Sequence, residues 1–227
     1  ISPDQIAMIK SNKDEIIKRL KSLNNGGIMS PIPVVDESES YPLSNAQQRV
    51  WILSQLEEGS TAYNLPTEIE LIGSYDLDCF ERAIKSVIER HEILRTVFKE
   101  DDNGEPCQIV LSIEEIDFNI DFRDFRNNEN PEEVAKAYVL ADAYKSFDLS
   151  RGPLLRASLL QVSDDKYIFY YNMHHIISDG WSMEILAKDV IKYYEAYILN
   201  IVPEISPLRI QYKDYSAWQL NLLTEDR

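Results

Sequence analysis

Two adjacent histidines, His174 and His175, close the apolar run "YIFYYNM", and Asp179 and Gly180 follow after three intervening residues. A neutral imidazole in a cleft can accept a proton from an amine, hydroxyl or thiol as it attacks a carbonyl, so the pair can hold the base of an acyl transfer. The competing reading is two histidines satisfied by hydrogen bonds in the core. No metal is expected: a site would have to join His174 or His175 to Asp179 and unidentified partners, and the third histidine, His91, lies in another segment.

The elements around the pair must position it. The run before it is rich in aromatic and β-branched residues, as in a strand covered on both faces, and helical spacing resumes after Gly180. Side chains alternate across a strand, which puts His174 and His175 on opposite faces, one packed and the other facing a cavity. "LLRASLLQV" is the expected partner strand, joined through "SDDK", and "SMEILAKDVIKYYEAYI" is a long helix.

Upstream, "SNAQQRVWILSQLEEG" reads as a capped helix stopped by Gly59, "TEIELIG" as a strand, and "DLDCFERAIKSVIER" as a helix with Leu77, Phe80, Ile84, Val87 and Ile88 on one face. "RTVFKE" and "CQIVLS" flank the tight-turn pair Asn103-Gly104 as a hairpin. "DFNIDF" alternates like a strand, and "PEEVAKAYVLADAYKSF" opens with a proline suited to a helix start. The sum is mixed α/β: a sheet covered by helices, without the strict βαβ order or glycine-rich loop of a nucleotide-binding fold.

Residues 1–23 read as an amphipathic helix with Ser2 as cap and Pro3 at its first position; residues 24–42 have the Gly, Pro, Ser and acidic composition of a linker; residues 43–227 are the folded unit. A formal charge of −16 and pI near 4.6 argue against nucleic acid and anionic membrane surfaces as partners. No stretch has the length of a membrane span and no signal peptide opens the chain, so the expected location is cytoplasmic. Cys79 and Cys107 are expected as reduced thiols.

HHIISDG, His174 to Gly180, resembles the HHxxxDG motif of condensation domains in nonribosomal peptide synthetases. Three more stretches resemble that family's motifs in its order: "LSNAQQRVWIL" (Leu43 to Leu53), "RHEILRTVF" (Arg90 to Phe98) and "YKDYSAW" (Tyr212 to Trp218). The resemblance implies a chloramphenicol acetyltransferase-like lobe, the N-terminal half of a two-lobed domain whose C-terminal lobe is missing from the chain. It implies amide formation between an upstream carrier-bound acyl or peptidyl thioester and a downstream carrier-bound aminoacyl amine. The domain itself binds no cofactor; phosphopantetheine arms on the peptidyl carrier domains hold both substrates.

By the same resemblance His175 is the catalytic histidine, as base or as the group that positions the amine and stabilises charge. His174 is structural. Asp179 is expected to organise the loop through an ion pair with Arg95, with Arg90 as the second choice, and Gly180 to allow close backbone approach. Ser44, Gln47, Arg49, Tyr212 and Trp218 are read as scaffold. The motifs look most like the subtype joining an L-donor to an L-acceptor; an epimerisation domain and a non-catalytic docking module are the alternatives. Implied partners are carrier domains on both sides, an adjacent adenylation domain, and, if residues 1–23 end a docking domain, an upstream synthetase. The lone lobe is expected to be inactive and to self-associate through its uncovered face.

Overall fold

A computed structural model describes residues 31–56 and 61–225. The expected helix over 1–23 lies outside them, as do linker residues 24–30 and Gly59. The chain divides into two units, Ile1–Pro33 and Val34–Arg227, and the architecture below belongs to the second.

A four-stranded sheet carries the site. Its order is β2 (Asn64–Ile72), β7 (Lys166–His174), β6 (Leu155–Gln161) and β5 (Asp121–Asp124), antiparallel except for the parallel β5–β6 pair. Pro66 is tolerated in β2 because β2 is an edge strand, where a missing N–H need not break a ladder. The "DFNIDF" strand begins later than its alternation predicts: pairing with β6 starts only at Asp121, and Phe118 is buried from a loop.

Alternation along β7 divides two cores. Ile168 and Tyr170 pack with Ala135 and Val139 of α3 (Pro131–Ala143), whereas Phe169, Tyr171 and Met173 join Ile84 and Val87 of α2 (Leu77–Arg90) and Leu186 of α4 (Gly180–Ile198). The sheet is thus sandwiched between helices. Fully burying a side chain such as Leu154 or Leu160, both at 0% exposure, stabilises the fold by about 1.5–3 kcal/mol each.

A second sheet has the order β1 (Tyr41–Pro42), β4 (Pro106–Val110) and β3 (Thr96–Glu100). The expected β3–β4 hairpin turns at Gly104, whose φ of 81° suits a residue without a Cβ. Tyr41 and Pro42, assigned to the linker by composition, instead pair with Gln108 and Cys107. The ladder outweighs local composition there, and Gln108 Nε2 reinforces it by donating to the Pro42 carbonyl at 2.8 Å.

Two more helices border the site. In α1 (Asn45–Ser54), Ser44 Oγ accepts from Gln47 N and Gln47 Oε1 accepts from Ser44 N, a reciprocal cap that fixes where the helix begins. It stops before Gly59: the N–H of Gln55 donates to Ile52 in a tighter last turn. The other, α5, spans Tyr212–Glu225 and packs near α1 and β1.

Candidate functional site

The two histidines end in opposite environments. Strand β7 stops at His174, which is 1% exposed and sits edge-on to Phe147 with ring centroids 6.1 Å apart. Its Nδ1 accepts from the Ile176 N–H at 3.2 Å, so the neutral ring carries its proton on Nε2. Burial, aided by the neighbouring His175, lowers its pKa to about 4. His174 is therefore buried as the neutral ring near pH 7.

His175 is exposed and held from two directions. Its backbone N–H donates to the Tyr63 carbonyl at 2.8 Å, just before β2, and its Nδ1 donates to the Ser178 carbonyl at 2.8 Å. A carbonyl can only accept, so Nδ1 carries a proton, and in the neutral ring the Nε2 lone pair is left for another partner. That is the tautomer a proton acceptor requires. The ring lines a cavity of about 200 Å³ with Gln47 and Val50 of α1, Asp179 and Ser182 at the start of α4, and Tyr212 at the start of α5.

Asp179 does not pair with either expected arginine. Its carboxylate caps α4, accepting from the Ser182 N–H at 2.8 Å, while Ser182 Oγ accepts from the Asp179 N–H at 2.8 Å. These Ser182 hydrogen bonds hold its pKa below the usual carboxylate value, helped by His175. Arg95 instead donates to the Leu111 carbonyl and lies 3.5 Å from Glu92, and Arg90 bonds Asp189 at 2.9 Å together with His91. The physical reason is local: four unpaired N–H groups at the helix start outcompete a distant cation for the nearest carboxylate.

Gly180 also departs from expectation. It opens α4 without positive φ, and a Cβ there would meet nothing within 4 Å, so no close backbone approach within the described residues requires glycine. The remaining motif residues divide. Ser44 and Tyr212 share a 3.0 Å hydrogen bond that joins α1 to α5, and burial raises the Tyr212 pKa. Trp218 is half-buried, 6.0 Å from the Tyr215 ring, and Arg49 is exposed. Gln47 lines the cavity with His175.

Sequence reasoning misses Tyr63, Phe147 and Ser182. Ser182 has a readable signal, since D-x-x-S has capping-box spacing. Tyr63 and Phe147 have none, because their contacts to the histidines depend on tertiary pairing. Among the described residues no three His, Cys, Asp or Glu side chains cluster to hold a metal, and no helix is long and apolar enough to cross a membrane.

A family model described as a condensation domain matches residues 37–227. A linear gramicidin synthase of Brevibacillus parabrevis is 43% identical over 198 residues, 86% of this chain and 2% of that protein. Bacitracin synthase 3 of Bacillus licheniformis is 43% identical over 189 residues, 83% and 3% of the two chains. The starter condensation domain of rhizomide synthetase superposes with a TM-score of 0.70 at 28% identity, covering 83% of this chain and 43% of that one. The first condensation domain of the CDA synthetase, 22% identical with a TM-score of 0.70, shares the fold. The chain thus spans a few per cent of the curated synthetases and less than half of the solved domains.

Proposed function

Because the chain belongs to the condensation-domain family of nonribosomal peptide synthetases, we propose that it supplies the histidine-bearing wall of a site that joins two carrier-bound substrates through an amide. The downstream aminoacyl nitrogen attacks the carbonyl of the upstream thioester; the C–N bond forms, the C–S bond breaks, and the pantetheine sulfur leaves as a thiol. His175 Nε2 takes the proton that the attacking nitrogen sheds and returns one to the leaving sulfur. The observation that carries this reading is the 2.8 Å bond from His175 Nδ1 to the Ser178 carbonyl, which in the neutral ring selects the tautomer with its lone pair on Nε2, beside an open cavity.

In this reading the substrates arrive on phosphopantetheine arms of flanking carrier domains, an adenylation domain loads them, and donor and acceptor are both L-configured. A second lobe closes the site opposite His175, so the 227 residues alone form no amide. The helix expected over residues 1–23 is read either as the end of a docking element or as an inter-domain linker helix.

The test is His175→Ala in the full-length synthetase with preloaded carriers. Amide formation is expected to fall by roughly 10²–10⁴-fold while loading and melting temperature hold. Near wild-type turnover in the variant would remove His175 from the mechanism.

A further inference from the structure

One residue lining the His175 cavity carries a buried hydrogen-bonding group that has no partner among the described residues. Gln47, at 2% exposure, is the third residue of α1. Its Oε1 accepts from the Ser44 N–H at 3.0 Å and from Ser216 Oγ at 3.4 Å, and a backbone N–H can only donate, so the orientation of the amide is fixed. The other end, Nε2, is buried and has no partner among the described residues. Leaving such a donor unpaired costs on the order of 1–3 kcal/mol, so its retention calls for a reason.

Five other buried side-chain atoms among the described residues share this condition, and each differs from Gln47. The amide oxygens of Asn64, Gln108 and Asn172 belong to side chains whose NH2 groups are engaged with backbone carbonyls. Arg95 Nε belongs to a guanidinium whose other nitrogens reach Leu111 and Glu92, and Glu92 Oε2 lies 2.7 Å from Lys213 Nζ. None of these five lines the cavity of His175. Gln47 does.

We propose that Gln47 is a substrate-binding residue, its Nε2 donating a hydrogen bond to a neutral carbonyl oxygen of the carrier-borne acyl or aminoacyl group that occupies the His175 cavity. A carboxylate is the wrong occupant. Asp179 lines the same cavity as an anion, and the chain carries a net charge of −16, so a second negative charge would be repelled. A neutral carbonyl satisfies the orphaned donor without that penalty. The proposal divides the side chain: its oxygen closes the helix cap, and its nitrogen is assigned to the ligand.

The inference rests on the condensation reading, and one set of assays separates the two. In the full-length synthetase, Gln47→Glu keeps an acceptor for Ser44 and Ser216 and deletes the NH2. Turnover is measured with the donor-loaded carrier varied at saturating acceptor, then the reverse. The carboxylate this buries near Asp179 lowers the melting temperature and acts on both substrates, so selectivity is the readout: we expect a roughly 10- to 100-fold greater loss of kcat/KM for one substrate than for the other, and that arm identifies whose carbonyl is bound. A fall in kcat places the contact on the carbonyl under attack; a rise in KM alone places it on a carbonyl bound equally in ground and transition states. An inactive His175→Ala beside a Gln47→Glu that affects both substrates alike, or neither, overturns the role of Gln47 and leaves the condensation reading standing. An active His175→Ala overturns that reading instead. Should Gln47→Glu fail to fold, the wild-type protein crystallised with an amide analogue of an acyl-pantetheine decides: Gln47 Nε2 within 3.5 Å of a ligand carbonyl oxygen supports the proposal, and its absence from that shell ends it.

Discussion

The two faces of strand β7 carry polar clusters of opposite character. On the α3 face, Asp142 is 7% exposed and its carboxylate receives Arg156 Nε at 2.9 and 3.2 Å, Tyr170 OH at 2.9 Å and Asn172 Nδ2 at 3.4 Å. Arg156 also bonds the Lys145 carbonyl and lies 3.9 Å from the centroid of the Phe147 ring, which meets His174 edge-on. The Asp142 carboxylate is thus fully engaged by the fold, although the amide oxygen of Asn172 beside it has no partner among the described residues. On the other side of the strand end, His175 and Gln47 line an open cavity, and Gln47 Nε2, buried, has no partner among the described residues. Polarity at a strand end therefore does not by itself mark a site. The Asp142 carboxylate, supplied with partners by the fold, holds the strand end, whereas His175 and Gln47 line an open cavity; an unpaired atom away from that cavity, such as the Asn172 oxygen, offers a ligand nothing.

Breaking the Asp142 cluster should have the largest effect. Asp142→Ala removes the carboxylate that Arg156 and Tyr170 share and leaves Arg156 only backbone carbonyls, and the expected loss is about 3 kcal/mol, the low end for a broken buried pair because the Arg156 side chain keeps 30% exposure. In a domain of this size that lowers Tm by roughly 6–12 °C, read by calorimetry on the condensation domain. A variant that melts with the wild type would show that the cluster is no more structural than the cavity opposite.

The same contrast sets how much is legible in the sequence. Alternation along "YIFYYNMHH" would place the two histidines on different faces if the strand ran through both, but β7 stops at His174, which packs against Phe147, and His175 reaches the cavity from the turn that follows. The hairpin is readable because Asn103-Gly104 is a local signal. Asp179 is misread because the ion pair draws on a pattern of distant residues, while its bond to Ser182 is three positions away. The Asp142–Arg156 pair and the unpaired end of Gln47 are not readable at all. Each depends on which atoms tertiary packing delivers, Arg156 from β6 onto α3 and Ser216 from α5 onto α1.

A second test addresses the histidines themselves. His174 is buried neutral with its pKa lowered to about 4, against about 6.5 in the unfolded chain. The unfolded state therefore binds the extra proton between these values, so His174's contribution is whole above about pH 6.5 and is lost as pH falls toward 4. Between pH 7.5 and 5 the expected loss is about 2 kcal/mol. Denaturant titrations of the wild type and His174→Gln at both pH values isolate the term, because other titrating groups are common to the two. Equal pH dependence in both proteins would mean that His174 is not held neutral.

The smallest expected effect separates the two accounts of Asp179. As a buried member of an ion pair its removal would cost about 3–5 kcal/mol; as an exposed helix cap it costs about 1 kcal/mol. The cap account also predicts rescue, since Asp179→Ser preserves an oxygen for the Ser182 N–H and should recover most of the stability that Asp179→Ala loses. The ion-pair account predicts none. A double-mutant cycle with Arg95→Ala decides between them: with Arg95 committed to Leu111 and Glu92, the coupling to Asp179 should lie within about 0.5 kcal/mol of zero. A coupling several times larger, with no rescue by serine, would restore the ion pair and mean that the capped loop rearranges when the rest of the synthetase is present.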